Sequence, residues 1–149
     1  MKERSIKLAR RIAGNNILAI SIGAIYLWFG LLKFFPGASP AEGLAQETVS
    51  QLTFQLISPS VSILLLATWE VVVGLFLLIN IFRRTILLFA FLHMLCTFTP
   101  LFFFPESAFT SVPFNFTLTG QYIAKNVVII AALFTLYKES GKSYQTSRT

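Results

Sequence analysis

Four ionisable side chains stand inside otherwise apolar runs of this sequence: Lys33, Glu70, His93 and Lys125. A carboxylate and an imidazole held close together can exchange protons near neutral pH, the range in which His titrates. Two ammonium groups can hold an anion, or the carbonyl oxygens of a ligand that gains negative charge on reduction. A charge near the centre of a bilayer costs about 2.5–3.5 kcal/mol on insertion scales, so each such group needs a partner or a wet cavity and is a functional candidate by default. Glu70 and His93 are therefore the candidate catalytic residues, and Lys33 and Lys125 the candidate ligand-binding ones. Tyr26, on the helix stripe that carries Lys33, joins them as a ligand-binding candidate. So do Gln121 and Asn126 beside Lys125, able to cap its hydrogen bonds or orient a ligand.

The runs that must position these groups read as membrane spans. Of the 149 residues, 55% are hydrophobic and 12% charged, against roughly 45–50% and about 25% in soluble domains. The mean hydropathy is +0.72. A spanning helix takes roughly 20 mostly apolar residues, and four runs qualify, at about 15–35, 60–82, 85–104 and 118–137. The fold class expected is an all-α integral membrane protein with a four-helix bundle as its single domain. Residues 1–14 are then a basic cytoplasmic leader and residues 138–149 a polar, loose cytoplasmic tail. The first run is longer than the roughly 7–15 apolar residues of a signal peptide, so it is expected to be retained. In the connector that follows, Ala45, Val49, Leu52 and Leu56 share one helix face, which predicts a short amphipathic helix lying on the membrane surface. Pro105 to Phe116 reads as a loop.

Charge sets the orientation. The leader, the Arg83-Arg84 turn and the tail hold 10 of the 12 Lys and Arg, while the other two connectors carry only Glu42, Glu47 and Glu106. The positive-inside rule then places both termini on the cytoplasmic side. The net charge of +6 sits at membrane edges and does not form the basic, aromatic surface that tracks a nucleic acid.

At about 1.5 Å per residue, Lys33 lies about 5 Å inside the outer edge, Lys125 about 10 Å, and Glu70 and His93 about 15 Å. Lys33 is close enough to the edge either to turn inward or to snorkel out. Glu70 is too deep and too short to snorkel. It must be protonated, wet or paired with a lysine, and a structural Glu70–Lys125 ion pair is the bland alternative to a substrate or proton site. Four stripes are expected to face the bundle: Gly23, Tyr26, Gly30 and Lys33; Ala67, Glu70 and Gly74; Ala90, His93, Thr97 and Pro100; and Gln121, Lys125, Val128 and Ala132. Membrane helices approach where small residues line the contact. Trp28 and Trp69 fall off these stripes, toward lipid or neighbouring helices.

Other chemistries are disfavoured. The single cysteine, Cys96, rules out an internal disulfide or a C-x-x-C pair and is expected to pack. One His excludes haem held by two histidines, and no metal site is expected, because one His and one Glu fall short of a ligand set.

The run Leu27-Trp28-Phe29-Gly30-Leu31-Leu32-Lys33-Phe34 with Pro36, then Trp69-Glu70-Val71-Val72-Val73-Gly74, His93-Met94-Leu95-Cys96-Thr97-Phe98 with Pro100, and Gly120-Gln121-Tyr122-Ile123-Ala124-Lys125-Asn126 resemble the DoxX-like family, nearest its YkgB/RclC branch. The resemblance covers about residues 15–137. It implies a four-helix bundle in the bacterial cytoplasmic (inner) membrane and a link to oxidant resistance or to thiosulfate:quinone oxidoreduction.

Together these readings predict a redox-linked membrane protein, enzymatic only as a subunit of a quinone-linked oxidoreductase. Its ligand would be a quinone or small anion in the outer half of the bundle. No redox cofactor is visible in the chain, so electrons must come from substrate or a partner subunit. A homo-oligomeric, proton-coupled transporter and a non-catalytic membrane assembly or chaperone subunit are the alternatives.

Overall fold

Prolines and left-handed residues punctuate a chain that is otherwise helical almost throughout. A computed structural model of the protein describes residues 2–39, 42–111 and 115–146, with side chains at Ile6, 17–39, 42–111 and 115–141. The basic side chains of the leader therefore lie outside the described residues, as do those of Lys142 and Arg148. The helices are α1 (Lys2–Leu32), α2 (Glu42–Leu52), α3 (Pro59–Ile79), α4 (Arg83–Cys96), α5 (Pro100–Phe103), α6 (Pro105–Ala108), α7 (Leu118–Ala124) and α8 (Asn126–Thr146). Three helical stretches are long and apolar enough to cross a membrane: Pro59–Ile79, Arg83–Phe103 through α4 and α5, and Leu118–Gly141 through α7 and α8. Within α1, Ile17–Leu32 is a shorter apolar stretch.

α1 starts at Lys2 and runs unbroken through the basic leader, since no proline interrupts good helix formers there. Pro59 opens α3, where its missing N–H is no loss. Asn80 closes the helix in the left-handed conformation at φ 58°, its N–H donating to the Phe76 carbonyl. Pro100 cannot donate to the preceding turn, so residues 97–99 form turns between α4 and α5. At the other end, α8 continues to Thr146, where a loose tail was expected.

The third connector also departs from expectation. It folds into α6 and a two-stranded antiparallel hairpin, β1 (Phe109–Ser111) with β2 (Asn115–Phe116). Phe109 and Phe116 pair across it with stacked rings 4.9 Å apart, a cross-strand contact of the kind that stabilises short ribbons. The chain is thus all-α in its bundle but not outside it. Thr117 caps α7 by accepting from the Gly120 N–H and donating to the Ser107 carbonyl.

The helix expected in the first connector is present as α2, shorter than its apolar spacing implies. It ends at Leu52 because Phe54 and Gln55 are left-handed, so Leu56 lies beyond it and is exposed. The helix packs back onto α3 and α5 and buries Thr48. Its inward face is Leu44, Ala45, Thr48 and Val49.

α1 and α3 form the closest pair. A Cβ on Gly74 would stand 2.6 Å from the Leu27 nitrogen and 2.8 Å from the Gly23 carbonyl. One on Gly30 would stand 2.9 Å from the Glu70 Cβ. No larger residue fits these approaches. Toward the α3–α4 turn the bundle is filled by Val73, Leu77, Leu87, Leu133 and Leu136. Toward the other end it encloses a cavity.

Candidate functional site

Lys33 follows the last turn of α1 and turns inward. Its Nζ donates to Glu70 Oε2 at 2.5 Å and to the Phe29 carbonyl at 3.4 Å. Both side chains of the pair are 10% exposed. The glycine contact explains the choice of partner: with Gly30 against the Glu70 Cβ and the Val71 nitrogen, Lys33 lies three residues beyond it and reaches the carboxylate. The structural Glu70–Lys125 pairing is therefore replaced by Lys33–Glu70, and Lys33 does not snorkel.

The other carboxylate oxygen, Oε1, lies 3.8 Å from His93 Nε2. On the far side of the ring, Nδ1 is 3.2 Å from the Tyr26 hydroxyl. That hydroxyl donates to the Ala90 carbonyl at 3.0 Å. A phenol has one proton, and the carbonyl takes it, so the hydroxyl accepts from His93 Nδ1–H. In the neutral imidazole this leaves Nε2 as a bare acceptor facing Glu70. The tautomer is thus assigned from the network. Lys33, Glu70, His93 and Tyr26 form one polar chain across α1, α3 and α4.

Lys125 sits at the break between α7 and α8. Its Nζ lies 3.9 Å from the centre of the Tyr122 ring and 5.7 Å from that of Phe29, the geometry of a cation–π contact. Among the described residues it makes no ion pair. Beside it, Asn126 Nδ2 donates to Thr97 Oγ1 at 3.1 Å, tying α8 to the end of α4.

All of these groups meet on one cavity of about 480 Å³, within the usual size of small-molecule sites. Tyr26, Lys33, Glu70, His93, Lys125 and Asn126, with Ser39 and Thr97, contribute its polar wall, and the rest is apolar or aromatic. Ser39 and, from α2, Leu44 and Ala45 cover it beyond Lys33. Since Lys33 and Glu70 neutralise each other, Lys125 leaves the wall with a surplus positive charge.

Three expected placements are not found. Gln121 is exposed and does not line the cavity. The stripe through Gln121 and Val128 is not the packed face of the last span, whose buried residues are Gly120, Ile123, Leu133 and Leu136. Apart from Gly120, large apolar side chains make that contact, so the small-residue criterion selects the wrong face. Cys96 is exposed instead of packed. Trp28 and Trp69 are exposed, at 65% and 37%, as their position off the stripes implies. Tyr122 and Phe29 were missed, although Tyr122 lies three residues before Lys125, a spacing that puts both on one helix face. Among the described residues, no three His, Cys, Asp or Glu cluster as metal ligands.

No family model, curated protein or solved structure matches the chain.

Proposed function

We propose that this is a DoxX-like protein that crosses the bacterial inner membrane four times with both termini cytoplasmic. Its cavity would bind a quinone or small anion in a redox-linked step of oxidant or sulfur metabolism. The observation that carries the reading is the convergence of Lys33, Glu70, His93 and Lys125, from four separate helical segments, on one cavity. A fourth crossing is supported by α1, whose apolar Ile17–Leu32 stretch continues without a break toward Lys2.

Each group has a role in this reading. The Lys125 ammonium and the Asn126 amide hold a ligand oxygen, and the Tyr122 and Phe29 rings flank a flat ring. Reduction of a quinone to a quinol takes two electrons and two protons. The electrons come from a partner subunit or a reduced substrate. Glu70 and His93 exchange the protons with the outer side, while the Tyr26 hydroxyl holds the His93 tautomer; the Nε2-to-Oε1 gap of 3.8 Å closes when a proton occupies Nε2. A transporter reading is less well supported, because Leu87, Leu133 and Leu136 fill the path toward the α3–α4 turn.

The test uses purified protein in nanodiscs with an azidoquinone carrying its photoreactive group on the ring. Labelling is expected on Tyr122 or its neighbours, competed by unlabelled quinone and lost in Lys125→Met. In cells, Glu70→Gln and Lys125→Met are expected to insert normally yet fail to restore hypochlorite survival to a deletion strain. Label scattered over lipid-facing residues, with full survival in both variants, sinks the reading.

A further inference from the structure

The cavity's exposed lining residues all lie on one edge. Of the side chains that line it, only Ile25, Lys125 and Val128 are exposed, Ile25 at 40% and Val128 at 71%. Ile25 belongs to α1, and Lys125 and Val128 flank the α7–α8 break. α1 packs along α3, and α4 along α8, but α1 and α8 touch only sparingly. On the side beyond Lys33, by contrast, Ser39 is buried at 8% exposure and Leu44 and Ala45 of α2 close over the space. Glu42 ties α2 back to the end of α1 by accepting from the Gly37 N–H at 2.8 Å.

We infer that the gap between α1 and α8 is a lateral portal, and that the ligand is an isoprenoid-tailed quinone that enters from the bilayer and not from water. This rests on the quinone reading above and selects within it, since a small aqueous anion would need the side that α2 covers. The head group passes between Ile25 and Val128 and stops where Lys125 and Asn126 meet its oxygen. The tail stays in the gap, against apolar side chains already exposed to lipid. Lys125 stands at the threshold, which explains a cation that is exposed yet faces the cavity. Its charge rests on the Tyr122 ring until an oxygen displaces that contact.

Two quinone probes test this with the whole protein in nanodiscs: one carries its photoreactive group on the ring, the other on the prenyl tail. The tail probe is expected to mark Ile25 and Val128 while the ring probe marks the Tyr122 region. Val128→Trp, a substitution on a lipid-facing position, is expected to slow labelling by the tailed ring probe roughly tenfold. Glu47→Phe, on the exposed face of α2 and outside the cavity lining, is expected to leave the labelling rate of both probes unchanged. Tail label on Leu44 or Ala45, or full-speed labelling in Val128→Trp, overturns the portal while leaving the quinone site intact. Absence of cavity label from either probe overturns both.

Discussion

The Lys33–Glu70 pair allows a double-mutant cycle whose outcome the geometry fixes in advance. At 2.5 Å, two unit charges attract by about 6–7 kcal/mol at an effective dielectric of about 20. Taking each ion out of water costs several kcal/mol, so the pair as a whole is close to neutral, while loss of one partner typically costs about 3–5 kcal/mol. Glu70→Gln leaves the ammonium with the Phe29 carbonyl at 3.4 Å. Because Lys33 sits just past the end of α1 and can swing outward, the expected loss is about 3 kcal/mol, at the low end of that range. Lys33→Met strands the carboxylate beside His93, at similar cost. The double variant Lys33→Met/Glu70→Met has no stranded charge and is expected within about 1 kcal/mol of the parent, a coupling of several kcal/mol. The assay is reversible unfolding by SDS in mixed micelles, followed by circular dichroism. Single losses below 1 kcal/mol that simply add in the double variant would refute the argument, because the charges would then not be mutually dependent. If the double variant keeps its stability but loses quinone labelling, the pair acts on the ligand as well as on the fold.

Further outcomes are expected at neighbouring positions. Gly74→Leu, whose Cβ alone would press to 2.6 Å of the Leu27 backbone, should separate α1 from α3 and abolish the well-folded peak on size-exclusion chromatography, with Gly43→Leu, where no atom lies within 4 Å of the added Cβ, as the silent control. Tyr26→Phe removes the acceptor for His93 Nδ1–H and should cost about 1–2 kcal/mol, read by the same SDS titration. Asn126→Ala breaks the bond to Thr97 and should cost about 1 kcal/mol while weakening ring-probe labelling. In a Cys96→Ser background, Glu47→Cys and Lys138→Cys test the orientation. A membrane-impermeant thiol reagent added to intact cells should modify the α2 cysteine, and Lys138→Cys only after permeabilisation; the reverse pattern would invert the proposed topology.

Much of the architecture was legible from local chemistry. Apolar runs of spanning length, with Pro36 after the first, Pro59 before the second and Pro105 after the third, are properties of single segments, and the last three emerge as helices long and apolar enough to cross a membrane. The four ionisable residues could be singled out because hydrocarbon penalises each independently of its neighbours. Glycines at 23, 30 and 74 marked faces turned into the bundle for the same reason: the absence of a Cβ is written in the sequence. Where the signal was weaker, as in the hairpin built on Phe109 and Phe116, the pairing joined residues whose affinity for one another does not show in either alone.

Which lysine Glu70 takes could not be read from depth, because depth is one coordinate and pairing needs three. The Gly30 contact sets the rotation of α1 against α3 and delivers Lys33 to the carboxylate, whereas the break after Ala124 places Lys125 over Tyr122. In the same way, period alone gave α2 an apolar face but not the surface it covers. Segment, depth and intrinsic cost follow from each residue's own transfer energy, so the sequence determines them; partner, roof and open edge depend on how rigid helices are turned against one another, and only the packed bundle decides them.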